Sequence, residues 1–184
     1  MKSKGLFIAA VLCILAIGCV PSLHPLYTEK DIVFEPGILG SWLEEGGTSA
    51  YEFTSDDSTS YTLTYTEDST SSYFTATLVK LGDHMFLDFL PDEPDCGNEF
   101  YKSYLIPAHS FYKVTLSNDI LRMDGLDVEW MKKQLQDSTN TIAFEWLDEE
   151  NYLLTASTEA LQNFVLKHAD DKNAFPIGDN LYRQ

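Results

Sequence analysis

Positive charge is scarce in this sequence. Its 184 residues hold 12 Lys+Arg against 29 Asp+Glu, a net charge of −17 at pH 7. So negative a surface repels nucleic acid and anionic lipid headgroups, which excludes both as partners held by charge. It keeps a domain soluble, or draws in cationic partners. Histidine is sparse too. His24, His84, His109 and His168 form no HxH, HxxxH or HExxH spacing, so a zinc site would have to be assembled wholly by the fold, and no metal or cofactor is expected. There is no Gly-x-Ser-x-Gly elbow to present a nucleophile. His109 and Ser110 are neighbours, and neighbours on a strand point to opposite faces, so they are not a catalytic pair. His84 and Asp88 share a strand face but stand about 13 Å apart. The chain has no internal repeat and no low-complexity segment beyond a Ser/Thr-rich stretch over 54–72. No enzyme is expected, and no catalytic residue is assigned.

Long apolar runs are also missing, with one exception at the start. Lys2 and Lys4 precede an uncharged stretch that ends in Ala16-Ile17-Gly18-Cys19. A basic segment, a short apolar segment and small residues before a cleavage point make an export signal. Residues 5–18 would span about 21 Å as a helix, short of the roughly 30 Å hydrocarbon core. Ending on Gly-Cys, the segment resembles a bacterial lipoprotein signal, in which the cysteine thiol is acylated before the peptide ahead of it is removed. The resemblance implies a signal peptide over 1–18, a palmitate-type lipid on Cys19 and attachment to the envelope membrane through it. Val20 stands where an inner-membrane retention signal would place Asp, which implies the outer membrane. Cleavage leaves 10 Lys+Arg against the same 29 acids, a charge of −19. Of the three cysteines, Cys13 then leaves and Cys19 carries lipid. Cys96 is left alone, so no intramolecular disulfide forms. Its acidic neighbours Asp92, Glu93, Asp95 and Glu99 make it a poor nucleophile. The same loop holds enough oxygens for calcium but not in EF-hand order, and reads as an exposed acidic loop.

Downstream, the segment 19–36 reads as a tether. Leu23, Leu26, Tyr27, Ile32, Val33 and Phe34 make it too apolar for a free linker, so part of it is expected to dock. The globular domain is expected over 37–169, with a loosely held tail over 170–184. Tyr61, Leu63 and Tyr65 alternate with Thr62, Thr64 and Thr66, and Phe74, Ala76 and Leu78 with Thr75 and Thr77, the period of half-buried strands. Gly82-Asp83 separates two such runs as a hairpin would. Further strands are expected near 101–106, 110–116, 120–123, 142–147 and 152–155, with a turn over 148–151. Asp127 and Ser157 can cap two helices that end near Gln136 and His168. About ten short strands and two short helices make the chain mainly β, an antiparallel barrel or sandwich.

Gly40-Ser41-Trp42, opening a β-rich domain of this size, is similar to the Gly-x-Trp of lipocalins. That family's tryptophan closes one end of an eight-stranded barrel beside an arginine from late in the chain. Arg122 and Arg183 are the arginines here, the later lipocalin motifs are missing, and the helix near 127–136 falls between strands. Cys19-Val20-Pro21-Ser22-Leu23-His24-Pro25-Leu26-Tyr27-Thr28, Gly37-Ile38-Leu39-Gly40-Ser41-Trp42 and Ile106-Pro107-Ala108-His109-Ser110-Phe111-Tyr112-Lys113-Val114 together resemble a family of uncharacterised bacterial lipoproteins, a resemblance that carries no activity. Ten Tyr and eleven Phe exceed what a small core needs. Tyr61, Tyr65, Phe74 and Phe144 are the expected lining of a cavity for a small apolar or amphipathic ligand. A non-enzymatic binding module is therefore expected. The alternatives are an assembly protein that binds another envelope protein and, third, an enzyme of unrecognised type.

Overall fold

Alternation of apolar and hydroxyl side chains dictates the architecture. The computed structural model describes residues 20–94 and 97–184; the export signal, Cys19, Asp95 and Cys96 lie outside the described residues. Strands β1 (Gly40–Glu44), β2 (Ala50–Thr54), β3 (Tyr61–Glu67), β4 (Thr70–Leu81), β5 (His84–Pro91), β6 (Ser110–Ser117) and β7 (Ile120–Gly125) run as a meander. A separate hairpin, β8 (Phe144–Trp146) with β9 (Tyr152–Leu154), follows, and β10 (Asn180–Arg183) ends the chain. The sheet order β1-β10-β7-β6-β5-β4-β3-β2 closes on itself. All eight pairings are antiparallel, so no barrel strand is left with an open edge. The protein is mainly β, with the eight-stranded closed barrel of a lipocalin-like fold. Asp68 and Ser69 make the β3–β4 turn with both φ values positive (48° and 66°), as a tight right-twisted hairpin demands.

The period of two sends one residue set inward. Trp42, Phe53, Tyr61, Leu63, Leu78, Leu87, Leu121 and Leu181 meet inside the barrel, each 3 % exposed or less. Surfaces that closed leave no room for a water-sized sphere among them; the interior there is packed solid.

The opposite set makes a second core on one flank. Val79, Leu81, Phe86 and Phe111 point outward from β4, β5 and β6 and are covered by two helices and the β8–β9 hairpin. Helix α2 (Val128–Gln136) starts where the Asp127 carboxylate accepts the Trp130 N–H at 2.6 Å, and buries Met131 and Leu135. Helix α3 (Thr158–His168), capped by Ser157, buries Leu161 and Val165. Each such side chain contributes about 1.5–3 kcal/mol when fully buried. Both helices and their caps agree with the sequence.

The tether docks along most of its described length. Ser22 exchanges two 2.8 Å backbone hydrogen bonds with His109, and Leu154 donates to the Pro21 carbonyl at 3.0 Å. The strap thus joins the small hairpin to the barrel, with Leu26 fully buried and Val33 bonded to the Leu78 carbonyl. Two expectations are corrected. The tail over 170–184 is not loose: Ala174, Phe175 and Leu181 are buried and β10 closes the barrel between β1 and β7. Nor do residues 101–106 form a strand. Asn98 caps a four-residue helix, α1 (Glu99–Lys102), by accepting the Tyr101 N–H at 3.0 Å, and the closed barrel has no strand edge free to receive the residues after it.

Candidate functional site: the two ends of the barrel

One end of the barrel is plugged. Pro36–Ile38 forms a single 3₁₀ turn across it, and the Trp42 indole N–H donates to the Ile38 carbonyl at 2.8 Å. The Arg183 guanidinium lies over the Trp42 ring, 4.2 Å from its centroid, and donates to the carbonyls of Leu39 (2.7 Å) and Gly37. The arginine from late in the chain that the lipocalin likeness calls for is therefore Arg183, on the strand the sequence presented as a tail. Phe34 stacks on Tyr61 at 4.9 Å. The Glu35 N–H donates to the Tyr61 oxygen at 2.8 Å, and the Tyr61 hydroxyl donates to the Glu35 carbonyl at 3.1 Å. Burial raises the tyrosine's pKa, so the hydroxyl keeps the proton it donates.

The other end is a mouth. Tyr51 and Tyr65 meet at 4.9 Å, with the Tyr65 hydroxyl on Ser49 Oγ at 3.3 Å. Phe74 and Phe89 (6.3 Å) and Phe89 and Tyr112 (5.5 Å) continue the aromatic wall. Glu44 and Glu67 point the same way along the inward register of β1 and β3. The Glu44 pKa is raised by burial, by Asp179 with which it shares a hydrogen bond, and by Glu67. Burial, then Tyr65 and the carboxylates, pushes the Tyr51 phenol far above its ordinary range.

Of the four expected cavity residues, Tyr61, Tyr65 and Phe74 share the inner core and Phe144 does not. Tyr61 belongs to the packed, plugged end. Tyr65 and Phe74 are half-buried at the mouth. Phe144 is not in the barrel: it lies on β8, 5.6 Å from Trp146, against the outer core. Its three-residue strand pairs only with β9, which turns it away from the interior.

Sequence reasoning missed a buried pair. His109 Nδ1 sits 2.6 Å from Asp88 Oδ1, with Asp88 only 1 % exposed, while Asp88 Oδ2 accepts the Leu26 N–H at 2.7 Å. The pair lies on the outer face of the barrel, under the strap. A histidine–aspartate pair can orient a base, but the nearby Ser22 hydroxyl donates instead to the His24 carbonyl at 2.8 Å. The pair works as a clasp. A second buried carboxylate, Asp124, takes Arg122 Nε at 2.9 Å and the Gly178 N–H at 3.0 Å. Any side chain at Gly178 would strike the Met123 carbonyl oxygen, 1.9 Å from where a Cβ would sit. His84, as expected, does not meet Asp88; it stands 3.7 Å from Asp170.

The mouth carries an apolar rim. Residues 98–106, between β5 and β6, lie there, and Phe100 and Ile106 are each 75 % exposed, with Tyr101 and Tyr104 beside them. Phe100 and Tyr104 meet ring to ring at 5.2 Å. Lys102 is held between Glu93 (3.9 Å) and Glu99 (3.2 Å). Two clefts lie outside the barrel. One, of about 330 Å³, is between α2 and α3; the other, of about 340 Å³, is lined by Pro21, Leu147 and Tyr152 among others. Among the described residues no group of three His, Cys, Asp or Glu side chains is placed to hold a metal ion, and no helix is long and apolar enough to cross a membrane. Compared with protein-family models, with curated proteins and with solved structures, the chain matches none.

Proposed function

We propose that this protein is a non-enzymatic binding module of the bacterial envelope, held at the outer membrane by lipid on Cys19, and that it takes another envelope protein on the rim over 98–106. One observation carries the reading: the plugged half of the barrel is packed to exclude water, while Phe100, Tyr101, Tyr104 and Ile106 face solvent together. Apolar side chains gathered on a polar, acidic surface mark an interaction site. Charge repels anionic lipid and nucleic acid, which leaves protein as the fitting partner. A photo-crosslinking residue at Tyr104 in the full-length protein, in membranes, should yield a discrete adduct, and one at Glu52, on the outward face of β2, should not. Adducts at neither position, or equally at both, would overturn the rim. The anchor is tested separately: Cys19→Ser should move the protein from the membrane to the soluble fraction, since acyl chains contribute about 0.8 kcal/mol per buried CH₂.

A second reading rests on the mouth. Tyr51, Tyr65, Phe74 and Tyr112 are half-buried, enough to cradle the end of a small amphipathic ligand. A fluorescent apolar probe should then saturate at one per chain with a Kd near 1 μM, about −8 kcal/mol, and Tyr65→Ala should weaken it. Binding only on partial unfolding would remove this reading and leave the rim.

A further inference from the structure

We propose that the tip of the β8–β9 hairpin is a second membrane contact, with Trp146 and Leu147 seated in the headgroup region of the bilayer that holds the Cys19 lipid. The inference rests on that lipid, and adds to it a fixed face by which the domain meets the membrane.

The strap leaves no slack at the anchor. Val20 is 4 % exposed and belongs to the flanking core that holds Tyr152 and Leu154. The next two residues are tied to the domain through main-chain hydrogen bonds, Pro21 to Leu154 and Ser22 to His109. Cys19 is bonded to Val20, so its Cα stands about 3.8 Å from that of a residue fixed to the domain. Lipid at that position does not hang the domain on a flexible cord. It brings the surface around Val20 against the bilayer.

Two bridges say which surface that is. Ser22 pairs with Leu154 in parallel and with His109 in antiparallel fashion. Traced back from Ser22 towards the anchor, the strap therefore runs beside β9 in the direction of Tyr152 and the turn over 147–151. It runs opposite to the residues just before His109, so the anchor leaves towards the hairpin tip and not towards the rim. Pro21 accordingly lines the same cleft as Leu147, Asn151 and Tyr152, a space of about 340 Å³ against Val128 of α2.

The tip carries the side chains that such a position favours. Leu147 is 65 % exposed and Trp146 41 %. The indole packs on Phe144 and Tyr152, with ring centroids 5.6 and 5.8 Å away, and the part left over meets solvent. Tryptophan, apolar in body and polar at one edge, is the side chain that collects at membrane–water interfaces. Two of the turn's acids are already engaged. Asp148 accepts the N–H groups of Glu150 and Asn151, each at 2.8 Å, and Glu150 takes Lys132 Nζ at 3.2 Å. A zwitterionic headgroup offers a cation to the rest. Little affinity is needed, because the lipid makes the contact intramolecular.

The test uses the full-length lipidated protein in phosphatidylcholine vesicles, with and without bromine on the upper acyl chain, recovered by flotation. The protein should float, and bromine should quench its tryptophan emission. Trp146→Phe should float equally and lose most of the quenching, since Trp42 is sealed inside the barrel. Leu147→Asp, at an exposed position that leaves the fold alone, should float and lower the quenching at least about twofold, as a charge at the interface does. Floating protein that bromine does not quench, or quenching undiminished in either variant, overturns the hairpin contact and spares the lipid. Wild-type protein that does not float overturns the lipid, and the hairpin contact with it.

Discussion

The two ends of the barrel solve opposite problems with the same residue types. At the plugged end Trp42, Tyr61 and Arg183 each find a main-chain partner, and the Arg183 Nε is left to the Asp119 carboxylate at 3.2 Å. At the mouth Tyr51 and Tyr65 stay half-wet among Glu44, Glu67 and Asp179, and burial together with the neighbouring charges raises the proton affinity of Glu44 and Tyr51. Aromatic content alone therefore says little about a cavity. What separates filler from lining is whether the hydroxyl or ring N–H is tied to backbone, because a tied group cannot move aside for a ligand.

Removing the plug should have the largest effect. Trp42→Ala is expected to cost about 3–5 kcal/mol, a fall in Tm on the order of 10 °C, whereas Tyr65→Ala at the mouth should cost about half as much. Equal losses in a thermal melt would erase the distinction between the ends. Next comes the clasp. Asp88→Ala strands the Leu26 N–H and the His109 ring, at about 1–3 kcal/mol each. Hydrogen exchange should show the amides of Ser22 and Leu26 opening while those of β4 stay protected; simultaneous loss would mean that the strap and barrel unfold as one.

Ala76→Phe probes the packed section directly. Ala76 is inward and fully buried, so the larger ring should destabilise by about 1–3 kcal/mol, read from the denaturant midpoint. A neutral result would reveal space that the packing denies.

The mouth should respond to pH with the opposite sign to an ordinary ion pair. Because the folded-state pKa of Glu44 is raised, the group favours folding below its usual value of 4.5 and opposes it as the pH climbs through the folded-state value. Glu44→Gln should therefore raise Tm at pH 7 and lose that advantage below pH 4.5; a gain that persists in acid would rule out proton uptake as its source. The smallest effect is expected at the rim, where Phe100→Ser should stay within about 0.5 kcal/mol of the parent while abolishing the Tyr104 crosslink.

Local chemistry was legible. The Tyr-Thr alternation of β3, the Gly82-Asp83 turn, and the Asp127 and Ser157 caps all act within a few residues, and each element stands where its pattern places it. Long-range chemistry was not. Residues 170–184 are polar, with Pro176 and Gly178, and nothing nearby announces that Leu181 enters a core made by residues from Ile38 to Leu121. Phe144 alternates with its neighbours as a barrel residue would, yet its strand is too short to join the barrel. His84 and Asp88 are too far apart along their strand to pair, as their spacing says, but nothing in the spacing tells that Asp88 meets His109, the residue before β6. The Trp42–Arg183 contact stood in the lipocalin likeness, but which arginine makes it depends on β10 being a strand at all.

Closure by β10 has a consequence for the order of events in folding. Trp42 pairs with Arg183, the penultimate residue of the chain, and Gln184 donates its N–H to the Ser41 carbonyl. A chain emerging amino-terminus first can build the β1–β7 meander and dress its flank with α2 and α3, but the seam between β1 and β7 stays open until β10 is made. Until then β1 and β7 both present bare edges, and the plug has no guanidinium to rest on. Closure thus needs β1 to meet β10, a contact of very high order. Loss of β10 would leave an open, pairing-competent sheet rather than a slightly smaller barrel, so one four-residue strand decides whether the sheet has edges at all.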